Sequence, residues 1–233
     1  RAGYTDDRII LIVEDDIADN VSNPNKGVIQ VTIGGNNVYE NVEIDYRMSS
    51  LKAKDILAIL NGEKSETLPT VIESTENDNL FVFWSGHGVP GAMCWDEEPY
   101  AMTGDDLSTV FKDMNLKRRY RKLLMMVEAC FSGGVMEQCE GIPGMLFITA
   151  ANGDETSKAD VFNGEMKVWM SNRFTSTFIE QITDNKDVAM RDLYYRLFIN
   201  TVGSHVMVYN AENYGNLYSV NMSEFINFKN DKS

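Results

Sequence analysis

Two short stretches concentrate the residues able to do chemistry. "FVFWSGHGVPG" (81–91) sets His87 between two glycines at the end of an apolar run, in a chain with only two histidines. "LLMMVEACFSGG" (123–134) ends a second apolar run with Glu128 and Cys130, followed by a Ser-Gly-Gly turn. A cysteine and a histidine brought together are the parts of a thiol nucleophile and its acid–base partner. A glycine-rich turn at the cysteine can offer backbone N–H groups to a developing oxyanion, and a following helix N-terminus favours the thiolate. In a strand, residues i and i+2 face the same side, so Glu128 and Cys130 point toward one pocket. A carboxylate close to sulfur raises the thiol pKa, so the better role for Glu128 is substrate recognition. Each residue taken singly has a plainer account: a cysteine after an apolar strand is most often a small buried hydrophobe, and "GHG" alone is a turn. The pair outweighs either half.

Chemistry at strand ends requires a sheet to hold it. "RIILIVED" (8–15), "NLFVFWS" (79–85), "KLLMMVEA" (122–129) and "MLFITAA" (145–151) read as buried strands, and "HVMVY" (205–209) as a short one. "GVIQVTIGGNNVYENVEI" (27–44) alternates around a Gly-Gly-Asn-Asn turn, the pattern of a hairpin. Helical spacing with start and stop signals predicts helices at 49–60, 103–114, near 171–183 and at 187–199, and residues 63–77 read as a surface loop. Apolar strands alternating with helices predict an α/β sandwich around a mostly parallel sheet, as one domain over 1–233. In such sheets ligands gather beyond the carboxyl ends of the strands, where His87 and Cys130 fall.

The net charge of −14 argues against a nucleic-acid binder, and the basic run "LKRRYRK" (116–122) reads as a solvated helix end or loop. No apolar run approaches the ~18–20 residues that span a bilayer. Cys94, Cys130 and Cys139 make neither a disulfide framework nor a zinc spacing, so no metal is expected. His205, opening a strand after Gly-Ser, reads as a hydrogen-bonded structural histidine.

With these segments in view the sequence resembles a family. "DDRIILIVEDDIADNVSNPNKGVI", "NVYENVEIDYR", "DILAILNG", "FVFWSGHG", "RRYRKLLMMVEACFSGG", "ITAANGDETS" and "SHVMVY" occur in the order found in the legumain-type cysteine peptidases. These are the asparaginyl endopeptidases (peptidase family C13) of the caspase-like superfamily, which also holds the catalytic subunit of GPI transamidase. The resemblance covers nearly the whole chain. "EAC" is closer to legumain and "GHG" to the transamidase.

The resemblance implies a caspase-like three-layer αβα sandwich and a cofactor-free endopeptidase acting on peptides or proteins. It implies Cys130 as nucleophile, His87 as general acid and base, the Gly88 and Cys130 amides as oxyanion hole, and Glu128 and Ser157 as walls of S1. Asn at P1, with Asp second at low pH, is the preference it implies. Transpeptidation or transamidation on the same thioester, a Lys/Arg preference and an inactive peptide-binding homologue are the rivals. The family's first strand and helix, carrying an S1 arginine and the asparagine that orients the catalytic histidine, have no counterpart here. A non-covalently bound N-terminal fragment, left by processing before Arg1, is therefore expected to supply them. The acidic residue on the far S1 wall also lacks a match, Asp160 being near in sequence but not aligned. An extracytoplasmic setting, secreted, periplasmic or lysosome-like, goes with the family.

Overall fold

The computed structural model describes residues 4–14, 17–95, 101–185 and 187–226. After a 3-10 turn at Asp6–Arg8 come β1 (Ile12–Val13), β2 (Tyr46–Arg47) and helix α1 (Ala53–Leu60). β3 (Asn79–Ser85) leads into a small meander of β4 (Gly88–Val89), β5 (Ala92–Met93) and β6 (Met102–Thr103). Helix α2 (Gly104–Leu116), β7 (Lys122–Glu128), the one-turn α3 (Ser132–Met136) and β8 (Met145–Thr149) follow. A hairpin of β9 (Ala159–Asn163) and β10 (Val168–Asn172) precedes α4 (Arg173–Asp184), α5 (Met190–Asn200), β11 (Met207–Tyr209) and the short α6 (Ala211–Tyr214).

The main sheet runs β11-β8-β7-β3; β3, β7 and β8 are parallel and β11 is antiparallel. β7 is a near-continuous apolar run because both of its faces are covered. Leu123, Met125 and Val127 enter a core shared with α1 and α2, while Leu124 and Met126 enter a second core shared with α4 and α5. That alternation makes the three layers. Thr103 caps α2, its hydroxyl accepting from the Asp106 amide at 3.2 Å, as the acidic first turn predicts. No described helix is long and apolar enough to cross a membrane.

Four expectations need correction. The strand at 8–15 shrinks to the two half-buried residues of β1, which pair only with β2. The hairpin at 27–44 does not form a ladder. A single backbone bond, Val38 N–H to the Ile29 carbonyl, links its arms, and the Asn37 side chain takes the Ile29 amide instead. A lone two-stranded ribbon is marginal in water, so local side-chain bonds win. Third, β3 reaches both cores, Leu80 and Val82 on one side and Phe81 on the other, but is only half-buried: among the described residues it is an edge strand paired with β7 alone, and Phe83 is exposed. The helix expected at 49–60 begins only at Ala53, where Asp55 accepts from the Lys52 amide at 2.8 Å. The β4–β6 meander and the β9–β10 hairpin have strands too short or too exposed to leave an apolar run.

Candidate active site

β3 and β7 run in register with Ser85 opposite Glu128, so the two apolar strands end level. One further bond, Gly86 N–H to the Glu128 carbonyl at 3.0 Å, carries the pairing just past both ends. His87 and Cys130 then leave on adjoining turns. The turns touch at Gly88, where an added Cβ would overlap the Cys130 carbonyl oxygen. His87 is exposed, and its carbonyl accepts from the Cys94 amide at 3.0 Å. That bond puts Gly88 at a non-hydrogen-bonded position of the β4–β5 ladder, with its N–H turned away from β5.

Cys130 is half-buried. The chain reverses sharply behind it because Phe131 takes the left-handed conformation, at φ 56° and ψ 16°, a costly state for a bulky residue. α3 starts at Ser132 but is only five residues long, so its dipole is small. Ser157 Oγ lies 4.0 Å from Cys130 Sγ.

Glu128 is 1% exposed. The Thr175 amide and hydroxyl, in the first turn of α4, both donate to its Oε2 at 3.0 Å. Oε1 is buried and takes no hydrogen bond from the described residues. Burial pushes the Glu128 pKa up; bonds from Thr175, and weaker interactions with Ser157 and the Phe174 amide, oppose that rise. Ser157 thus interacts with both Cys130 and Glu128, though it gives Oε1 no bond of normal geometry. One carboxylate oxygen is held, and the other is buried with no donor among the described residues.

Asp160, on β9, is paired with Arg173 at 3.3 Å. Cys139 is buried and its thiol is pushed up to about 12, so it stays protonated. His205 faces Glu155, with Nδ1 and Oε2 2.9 Å apart. The structure therefore gathers His87, Gly88, Cys130, Glu128 and Ser157 at one end of the sheet. Thr175 and Glu155 were not singled out from sequence. Thr175 reaches its partner across 47 residues and carries no local signal.

A sheet-and-helix sandwich with cysteine and histidine on adjoining turns beyond parallel strands defines the caspase-like class. In fold it is similar to caspase-1 from Spodoptera frugiperda, with a TM-score of 0.50 at 12% identity over 71% of this chain and 70% of that one. The Peptidase C13 family model matches residues 1–225, and the chain belongs to that family. It is 30% identical to legumain from Rattus norvegicus over 216 residues, covering 90% of this chain and 49% of that protein. It is 35% identical to a vacuolar-processing enzyme from Vicia sativa over 163 residues, covering 67% of this chain and 32% of that protein. The chain spans about half the length of the legumains it matches.

Proposed function

We propose that residues 1–233 form one catalytic domain of a cysteine endopeptidase. The observation that carries the reading is the contact of the His87 and Cys130 turns at Gly88. The Cys130 thiol passes its proton to His87, and the thiolate sulfur attacks the scissile carbonyl carbon, forming a C–S bond and sending an electron pair to oxygen. The Gly88 and Cys130 amides hold that oxyanion. Collapse expels the amine, which takes a proton from His87 and leaves a thioester. Water then gives its proton to His87, attacks the thioester and releases the acid and the thiolate. No step calls for a metal or an organic cofactor.

Glu128 and Ser157 line the P1 pocket. The unpartnered Oε1 of Glu128 accepts from the amide of a P1 Asn when ionised. Burial raises the Glu128 pKa, so as pH falls it takes up a proton sooner than an ordinary carboxylate and can then donate to a P1 Asp. A peptide series varied at P1 tests this. Asn is cleaved fastest, and the Asp/Asn ratio of kcat/KM rises as pH falls. Preference for large apolar P1 residues overturns the pocket assignment. Lys or Arg is the second reading, favoured because the described residues place no cation in an ion pair with Glu128. The likeness to vacuolar-processing enzymes supports a lysosome- or vacuole-like compartment.

We also propose that the free edge of β3 is covered by a strand of the same precursor. Among the described residues β3 is a seven-residue apolar edge with neither lysine nor proline to guard it, and the buried Trp84 indole N–H has no partner there. Ile10 and Ile12 pack on the same core as Leu80 and Val82, yet β1 does not pair with β3. A strand between them satisfies both edges. Hydrogen exchange of the full precursor then shows the outward-facing amides of Asn79–Ser85 protected, and free exchange there overturns the assignment.

A further inference from the structure

We infer that Glu155 is a positioning residue, fastening the loop after β8 so that it holds both the Cys130 turn and Ser157 in place. The inference rests on the peptidase reading of Cys130.

Residues 150–158 lie between β8 and β9, against the turn that carries Cys130. The Glu155 carbonyl accepts from the Phe131 amide at 2.8 Å, and the Ala151 carbonyl from the Gly133 amide at 3.1 Å. Gly153 and Gly134 meet backbone to backbone: a Cβ on Gly153 would sit 3.1 Å from the Gly134 nitrogen. The loop thus clamps the residue directly after the cysteine. That residue needs clamping, since a phenylalanine in the left-handed region is strained and persists only when its surroundings hold it.

The loop is anchored on its other side through the Glu155 side chain. Oε1 accepts from the Asn152 amide at 3.1 Å and from the His205 amide at 2.7 Å, and Oε2 lies 2.9 Å from His205 Nδ1. Ser204 Oγ adds a 2.7 Å bond to the Ala150 carbonyl. Ser204 and His205 lead into β11, which is paired with β8, so the anchor is the sheet itself. As a surface ion pair the His205 contact is worth little, with that ring 68% exposed. Amides donating to an ionised carboxylate are the stronger kind of bond. Burial works to raise the Glu155 pKa, but its bonds to His205 and Asn152 outweigh this and lower it, as expected of a carboxylate that works ionised. One residue therefore joins the nucleophile turn, through its carbonyl, to the sheet, through its carboxylate. Ser157 follows two positions later.

The test compares Glu155→Ala, Glu155→Gln and His205→Ala in the full chain. Two readouts are followed: hydrogen exchange at the Phe131 amide, and kcat and KM on the best peptide of the P1 series. Glu155→Ala speeds Phe131 exchange at least about tenfold and lowers kcat/KM by roughly ten- to a hundredfold, the cost of a small misplacement. The loss falls on both kcat, through the turn, and KM, through Ser157. Glu155→Gln, whose amide oxygen can still accept both backbone bonds, recovers most of each. Unchanged Phe131 exchange in Glu155→Ala overturns the inference, as does a Gln variant no better than Ala. Should Glu155→Ala not fold, Glu155→Asp replaces it, its shorter side chain being unable to reach the Asn152 and His205 amides from the same backbone: faster exchange supports the role and unchanged exchange removes it. His205→Ala keeps its amide bond to Oε1 and changes exchange little; a change as large as that of Glu155→Ala would overturn the assignment to the carboxylate. A wild-type protein that cleaves no peptide would refute the peptidase reading, while the exchange measurement still judged Glu155.

Discussion

Cys130→Ala leaves a folded protein whose peptide cleavage drops at least about a thousandfold, the scale of losing a nucleophile outright. The fold survives because Cys130 is half-buried on a turn, while its neighbour Ala129 is the residue sunk in the core. Removing one sulfur there opens no core cavity, so the melting temperature stays within a few degrees. His87→Ala behaves alike in stability, since that side chain is exposed. Its activity falls by roughly 10²–10⁴, the usual worth of a positioned acid–base group. Thermal unfolding and peptide turnover on the same samples check both. A Cys130→Ala enzyme with more than trace turnover removes the nucleophile, and a His87→Ala enzyme with most of its activity removes the acid–base partner. Lost turnover accompanied by unfolding would instead place Cys130 in the core.

How much of this was legible depended on how far each interaction reaches along the chain. β7 announces itself in "KLLMMVE" because a strand covered on both faces needs an unbroken apolar run. α2 is equally plain, since Thr103 and Asp106 write its cap within four residues. The 27–44 segment misled because its alternation is real but no second ribbon stacks on it. Cys130, His87 and Glu128 stood out because strand ends and glycine turns are local signals. Their partners did not. Thr175 meets Glu128 across 47 residues and Glu155 meets His205 across 50, and nothing near either position marks those meetings. Only the folded sheet brings them together.

The sharpest consequence of that folding concerns two glycines that look equivalent in "SGHG". Gly86→Ala is nearly neutral, whereas Gly88→Ala disables the enzyme. At Gly86 a new Cβ meets only the Trp84 indole nitrogen at 3.5 Å, an ordinary contact. At Gly88 it would run into the Cys130 carbonyl oxygen, with the Ala129 Cβ 3.3 Å away. Both obstacles belong to the β7 turn, whose backbone is pinned by the Phe131 and Gly133 amide bonds and cannot yield. Neither glycine has a positive φ, so the difference is purely one of space. The His87 turn must therefore retreat from Cys130, at about 1–3 kcal/mol for forced overpacking. The activity loss is expected to exceed that strain alone, because the retreat withdraws the Gly88 amide from the proposed oxyanion site and moves His87 at the same time. Removing one oxyanion donor costs roughly 10²–10³ in kcat, and the altered His87 position adds to it. Neither Glu128 nor Ser157, the walls of the proposed P1 pocket, is among the atoms nearest a Cβ at Gly88, so KM is expected to change little. Steady-state kinetics of the two variants side by side make the comparison. Equal kcat in Gly86→Ala and Gly88→Ala would mean that the two turns are not in contact in the working enzyme. A KM effect larger than the kcat effect would move Gly88 from the oxyanion to the substrate pocket.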